Sequence, residues 1–293
     1  MAAIKGIDVS QYQGNIDFAK VKAAGVKFVI IRAGFGKYTS QKDPYFEQNY
    51  KNAKAAGLDV GVYWYSYATS TADAIAEAKV CMTIISGKKF EYPIFFDLEE
   101  KAQFARGRAF CDSLVKAFCG ELEKCGYFAG LYISRSPLQS YISSDVARRY
   151  TLWVAEYASK LNYSGTYAMW QYTSGGKING ISGNVDCDYC YVDYPNTIKS
   201  GGYNGYKKQE SGEKVLDTSG VKLGDKNLGV YAYKQLLLIA YAKKIVSVKV
   251  NNDNVFGDGT EKATNELLKR LGYKQNGIAG SGLLKALGEI LVK

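Results

Sequence analysis

Tyr92-Pro93-Ile94-Phe95-Phe96-Asp97-Leu98-Glu99 is the stretch that decides how this chain is read. A strand turns residues i and i+2 to one face, roughly 7 Å apart between α-carbons. Asp97 and Glu99 therefore project together from the end of a greasy strand, and Leu98 faces away. Two carboxylates this close raise each other's proton affinity. One proton-donating acid beside one anion is what cleavage of a glycosidic bond requires. The pair alone also fits a strand that ends in an acidic turn, with Glu100 next door.

Similar apolar runs recur on both sides of it. Strands are expected at Lys5–Val9, Phe28–Ala33, Val60–Tyr67, Pro93–Leu98, Ala129–Ile133, Leu152–Glu156, Ala168–Tyr172 and Val185–Tyr191. Between them, helices are expected at Asp17–Ala24, Asp43–Ala56, Ser70–Ser86, Arg106–Cys125 and Pro137–Tyr150. Phe110, Leu114, Ala117, Phe118 and Leu122 fall at helical spacing and mark a core-facing stripe. Strand–helix alternation implies parallel strands joined by crossovers. The last strands have connections too short for crossover helices. The expected fold is α/β, an irregular TIM-like barrel of about eight strands with an incomplete helix ring.

A barrel gives the acids one address, because barrel sites sit at the carboxyl ends of strands. Asp8 ends the first strand, Asp97 and Glu99 end the fourth, and Asp186 opens the eighth. First and eighth strands are neighbours in a closed barrel, so four carboxylates converge on one mouth.

Composition narrows the chemistry further. The 293 residues include no histidine, which excludes Ser-His-Asp and Cys-His catalysis. Acid–base work falls to carboxylates, Lys, Tyr or Cys. The six cysteines are expected as free thiols. Cys187-x-x-Cys190 lacks a second pair and any histidine to complete four ligands, so no metal and no cofactor are expected. No run approaches the ~20 apolar residues of a membrane span. The amino terminus shows no basic region followed by an apolar one, and synthesis in a host cytoplasm without a signal peptide is expected.

The net charge is +10. Residues 1–200 carry +4 of it and residues 201–293 carry +6, so the shorter stretch is the more basic. That suits an anionic partner. Without a helix-turn-helix, zinc-finger or arginine-rich pattern, nucleic acid is not expected. Periodicity lapses over the polar, Gly-rich residues 197–226, read as a linker. It resumes at Leu228–Ile245, Thr260–Leu271 and Ser281–Leu291, so residues 227–293 are read as a small three-helix domain. Asn251–Asp258 lacks EF-hand spacing and reads as a structural turn.

Several motifs now resemble glycoside hydrolase family 25, the lysozymes (N-acetylmuramidases) of phage endolysins and bacterial autolysins. Gly6-Ile7-Asp8-Val9-Ser10 with Gln13-Gly14 looks like the family's first strand, Lys27–Gly34 its second and Gly61–Tyr67 its third. Phe96-Asp97-Leu98-Glu99 matches its acidic motif, and Leu152–Ala155, Trp170-Gln171-Tyr172 and Asn184-Val185-Asp186 match later strands. Chitinases use a DxE pair within DxxDxDxE, but Tyr92 and Phe95 stand at the earlier Asp positions. Residues 228–293 resemble a three-helix peptidoglycan-binding module.

The resemblance implies a barrel over residues 1–196 that cleaves the β-1,4 bond between N-acetylmuramic acid and N-acetylglucosamine. Its partner would be bacterial peptidoglycan, met after release of an endolysin from the host. Glu99 would be the general acid/base and Asp97 its electrostatic partner, with Asp8 and Asp186 lining the site. Asp97 would attack directly, orient the substrate's 2-acetamido group, or take part in an inverting reaction. These three routes stay open, as does the oligomeric state, with association through the carboxy-terminal module as one option. Tyr63, Trp64, Tyr65, Trp153 and Trp170 lie at strand ends where rings stack on sugars or pack in the core. Gln171 joins them, and Arg32 meets a substrate carboxylate or, the favoured reading, neutralises the acidic mouth. A non-catalytic wall-binding protein and a bacterial autolysin are the alternatives.

Overall fold

The computed structural model describes residues 3–208 and 215–292. They form two compact units, residues 3–208 and 215–292.

In the first unit eight strands close a barrel in sequence order: β1 (Ile4–Val9), β2 (Phe28–Phe35), β3 (Asp59–Tyr65), β4 (Ile94–Asp97), β5 (Ala129–Ser134), β6 (Thr151–Ala155), β7 (Met169–Gly176) and β8 (Val185–Cys190). Strands β1 to β7 pair in parallel, whereas β8 runs antiparallel to both neighbours. Crossovers are carried by α1 (Phe18–Ala23), α2 (Phe46–Ala55), α3 (Thr71–Ile85), α4 (Lys101–Phe104) with α5 (Arg108–Lys124), and α6 (Arg135–Tyr141) with α7 (Ser144–Arg149). No helix separates β6 from β7 or β7 from β8, so the ring is incomplete as the sequence implies. The expected helix at Arg106–Cys125 is α5, preceded by the short α4 that Gly107, at φ 83°, sets apart from it. The one expected at Pro137–Tyr150 is broken, because Ser143 starts α7 by accepting the Val146 N–H.

The period of two along each strand separates two cores. Val29, Ile31, Val62, Trp64, Phe96, Leu98 and Val154 face out toward the helices. Phe28, Ile30, Phe95, Tyr132 and Trp153 face in and fill the barrel. Gly6 makes room for this filling: a Cβ there would lie 2.1 Å from the Phe28 ring.

The expected linker at 197–226 is structured on both sides of residues 209–214, which lie outside the described residues. Helix α8 (Tyr194–Gly201) begins with Asp193 accepting the Asn196 N–H and sends Tyr194 and Ile198 into the inner core. Asn204 then seals the lower end of the barrel. Its N–H and C=O bond Gly126 and Phe90, its Oδ1 accepts the Phe128 N–H at 2.7 Å, and its Nδ2 donates to Tyr92 O at 2.9 Å. Nearby, Glu91 is held by Lys54, Tyr206 and the Val60 N–H. Burial alone would raise its proton affinity, but these donors hold it below the usual range. Gly-rich composition here reflects tight caps: Gly202 ends α8 in the left-handed region at φ 74°.

The second unit contains α9 (Leu228–Ala242), α10 (Asp258–Arg270) and α11 (Ser281–Val292) around Tyr233, Leu237, Phe256, Leu267, Leu283 and Leu287. The later part of the expected linker belongs to it. Asp217 accepts the Gly280, Gly282 and Leu283 N–H groups at the start of α11, and Val221 bridges Ala279. In the loop that resembles a calcium site, Asp253 instead accepts the buried Lys234 ammonium at 2.6 Å. No helix among the described residues is long and apolar enough to cross a membrane.

Candidate active site

The upper ends of the parallel strands surround a cleft of about 220 Å³. Asp8, Asp97, Glu99 and Asp186 all line it, together with Arg32, Tyr63, Tyr65, Trp153 and Gln171. Asp186 reaches this end because β8 is reversed. Asp8 pairs directly with Asp186 in the antiparallel register, so the opening of β8 stands level with the close of β1. In an all-parallel barrel the opening of a strand would lie at the opposite end.

Each acid holds its proton more tightly than an exposed carboxyl. Burial is the first cause for all of them. For Asp97 the Glu99 charge adds to burial and Arg32 opposes it. For Glu99 the Tyr132 hydroxyl opposes burial, while Asp186 and Glu100 reinforce it. Asp97 feels the Glu99 charge, and a single proton on the two leaves one acid and one anion. Asp97 Oδ1 is buried and has no hydrogen-bond partner within the protein.

Other side chains hold this arrangement. Gln171 Nε2 donates to Asp8 Oδ2 at 2.8 Å, and its Oε1 accepts from the Tyr132 and Tyr157 hydroxyls at 2.9 and 3.1 Å. The Tyr65 hydroxyl donates to Glu100 at 2.8 Å. Arg32 Nε donates to Asp43 Oδ2 at 2.8 Å, the Tyr12 ring lies 5.1 Å from its guanidinium, and its other terminal nitrogen NH2 is buried without a partner. Arg32 is thus ion-paired with Asp43, and its charge also lowers the proton affinity of Asp97 in the acidic mouth.

Two expected sugar-stacking residues lie elsewhere. Trp64 is fully buried in the outer core and donates Nε1–H to Gly36 O at 3.0 Å. Trp170 donates to Glu156 O at 2.8 Å and does not line the cleft. Alternation explains both: Trp64 has opposite parity to Tyr63 and Tyr65, and Trp170 to Gln171. Cys187 and Cys190 fail as a metal half-site on the same ground, since the first packs in the outer core and the second in the inner one.

Sequence reading passed over Asp188, Tyr132, Tyr157, Tyr12 and Asp43. Asp188 had a signal, being two residues beyond Asp186 on one strand. Tyr157 had none, because it follows β6 in an irregular segment. A larger groove of about 440 Å³ lies elsewhere on the barrel unit, beside Tyr127, Phe128, Arg149 and Tyr203. Its Glu123 is already paired with Arg149, and no group of acids converges there.

The family model for glycosyl hydrolases family 25 matches residues 7–181. The chain belongs to that family. This family 25 glycosyl hydrolase is 34% identical over 187 residues to the autolytic lysozyme of Clostridium acetobutylicum, covering 63% of this chain and 55% of that protein. Among solved structures, the modular autolysin LytC of Streptococcus pneumoniae, determined with a synthetic peptidoglycan ligand, is 28% identical with a TM-score of 0.59, over 65% of this chain and 47% of that one. This chain thus spans about half the length of both relatives. The CTP1L endolysin aligns over 99% of both chains at 23% identity with a TM-score of 0.60, a likeness of fold.

Proposed function

We propose that this family 25 glycosyl hydrolase cleaves the β-1,4 bond between N-acetylmuramic acid and N-acetylglucosamine in bacterial peptidoglycan, acting as a lytic endolysin. One observation carries the reading: Asp8, Asp97, Glu99 and Asp186 come from three separate strand ends and converge on one cleft. Glu99, the more open member of its pair, protonates the departing sugar oxygen as positive charge builds at the anomeric carbon. Asp97 is the anion. Its unpartnered Oδ1 suits the N–H of a substrate 2-acetamido group, which favours the route in which that group is oriented for attack. Tyr63 and Tyr65 offer rings to the glycan, with the buried Trp153 beneath them as the floor of the cleft, and Asp8 and Asp186 hold the field around the reacting carbon.

The names of the relatives support this reading, among them an autolytic lysozyme and an N,O-diacetylmuramidase. The basic second unit, residues 215–293, serves as the wall-binding module that keeps the barrel on its insoluble substrate. Digestion of purified peptidoglycan, with mass analysis of the new ends, tests the reaction. Reducing muramic acid ends are expected. Reducing glucosamine ends or freed peptides would show a different enzyme.

A further inference from the structure

Asp188 forms no part of the cleft surface, yet it is fully buried on the inner face of the same strand as Asp186. Trp153 Nε1–H donates to Asp188 Oδ1 at 2.8 Å, while Asp188 Oδ2 meets no donor. In the β1–β8 register Asp188 stands opposite Gly6, on the inner face beside Asp8, and Gly6 interposes no side chain between the two carboxyl groups. Around them stand Asp186, Cys187 and Cys190 on β8, Asp97 on β4, Tyr63 on β3 and Trp153 on β6. Arg32 on β2 also faces Tyr63 and Asp97, but it is ion-paired with Asp43, and none of the other groups carries a positive charge. Two buried anions side by side without a cation are strongly unfavourable. One proton between them turns the repulsion into a hydrogen bond.

We propose that Asp8 and Asp188 form a carboxyl–carboxylate unit holding one proton, with Asp188 as a positioning residue that fixes Asp8 and, through it, Gln171 and Tyr132. The remaining negative charge on Asp8 requires the N–H side of the Gln171 amide. That turns Gln171 Oε1 toward Tyr132, which donates to it at 2.9 Å. The Tyr132 hydroxyl also reaches Glu99, and it has one proton to give. While the unit is intact Gln171 competes for that proton, so Tyr132 stabilises the Glu99 anion only in part. Without the unit, Tyr132 turns to Glu99 and favours its ionised form.

The consequence for catalysis rests on Glu99 being the acid, but the unit can be read without substrate. Carboxyl-carbon NMR of the full chain from about pH 3 to pH 9 should show Asp8 and Asp188 sharing two titration steps. In Asp188→Asn, Asp8 should show one step, at lower pH. Independent titrations in the wild type, or an unmoved Asp8 step in the variant, would overturn the proposal. On purified peptidoglycan, Asp188→Leu should lose roughly tenfold or more in kcat, with the basic limb of its pH profile moved to lower pH. Asp188→Asn donates to Asp8 without titrating, and should recover about tenfold over Asp188→Leu. Equal impairment of the two variants, or a basic limb unmoved in Asp188→Leu, also counts against it. Should Asp188→Leu fail to fold, the NMR titrations of the wild type and Asp188→Asn decide alone.

Discussion

At the lower end of the barrel Asn204 bonds through its N–H, C=O, Oδ1 and Nδ2, whereas at the mouth the buried Asp97 keeps an oxygen with no partner. The same strands supply both ends. Glu91 below is surrounded by three donors and holds its proton loosely; Asp8, Asp97 and Asp188 above are crowded by one another and hold theirs tightly. Satisfied polar groups stabilise a fold, and unsatisfied ones await a ligand or a proton. The two ends should therefore fail differently when altered.

Glu99→Gln should show the largest effect, a loss of roughly 10²–10⁴-fold in kcat with the fold intact. A folded variant that keeps more than about a tenth of wild-type kcat would remove Glu99 from the acid role. Asn204→Ala should do the reverse. Leaving the Phe128 N–H and the Tyr92 carbonyl buried and unpaired costs about 2–5 kcal/mol in denaturant unfolding. Its kcat, measured on the folded fraction, should stay near wild type. A large fall in kcat would mean that the lower end shapes the mouth.

Asp97→Asn should also lose most activity, and the basic limb of its pH profile should move to lower pH because a like charge beside Glu99 is gone. An unmoved limb would show the two groups to be uncoupled. The two ends should also respond to pH with opposite sign. Glu91 has a depressed folded pKa, so its stabilisation is present above the unfolded value and is lost as pH falls through the folded one. Asp97 has a raised folded pKa, so its contribution is most favourable below the unfolded value and declines as pH rises toward the folded one. Glu91→Gln should cost about 1–3 kcal/mol at neutral pH and progressively less in acid. Relative to wild type, Asp97→Asn should gain stability as pH rises. Unfolding curves across pH test both, and parallel trends would erase the distinction.

Truncation sharpens the same contrast by position. Ending the chain at Lys208 keeps Asn204 and Tyr206, and should leave cleavage of short soluble glycans nearly unchanged while slowing lysis of intact walls. Ending it at Gly202 removes the seal and should destabilise the barrel itself. Equal behaviour of the two would show Asn204 to be dispensable. The smallest effect concerns the second unit, whose wall binding should weaken as salt rises if its excess positive charge contributes. Binding that is indifferent to salt would point to specific glycan or peptide contacts.

What the sequence by itself determined is what local chemistry encodes. Apolar runs placed the strands, helical spacing placed the larger crossovers, and period-two alternation put Asp97 and Glu99 on one face. The same alternation, applied to Tyr63-Trp64-Tyr65, would have sent Trp64 outward. Linker composition misled because glycines and polar residues serve tight caps as readily as flexible chain, and α8 and Asn204 use them as caps. The short connections at the end of the barrel argued against a parallel β8. Only the tertiary structure decided its pairing and register with β1, a matter of residues far apart in the chain. That reversal brings Asp186 level with Asp8 and puts Asp188 beside it on the inner face. No local propensity records which way the closing strand runs, because its side chains alternate identically in either direction.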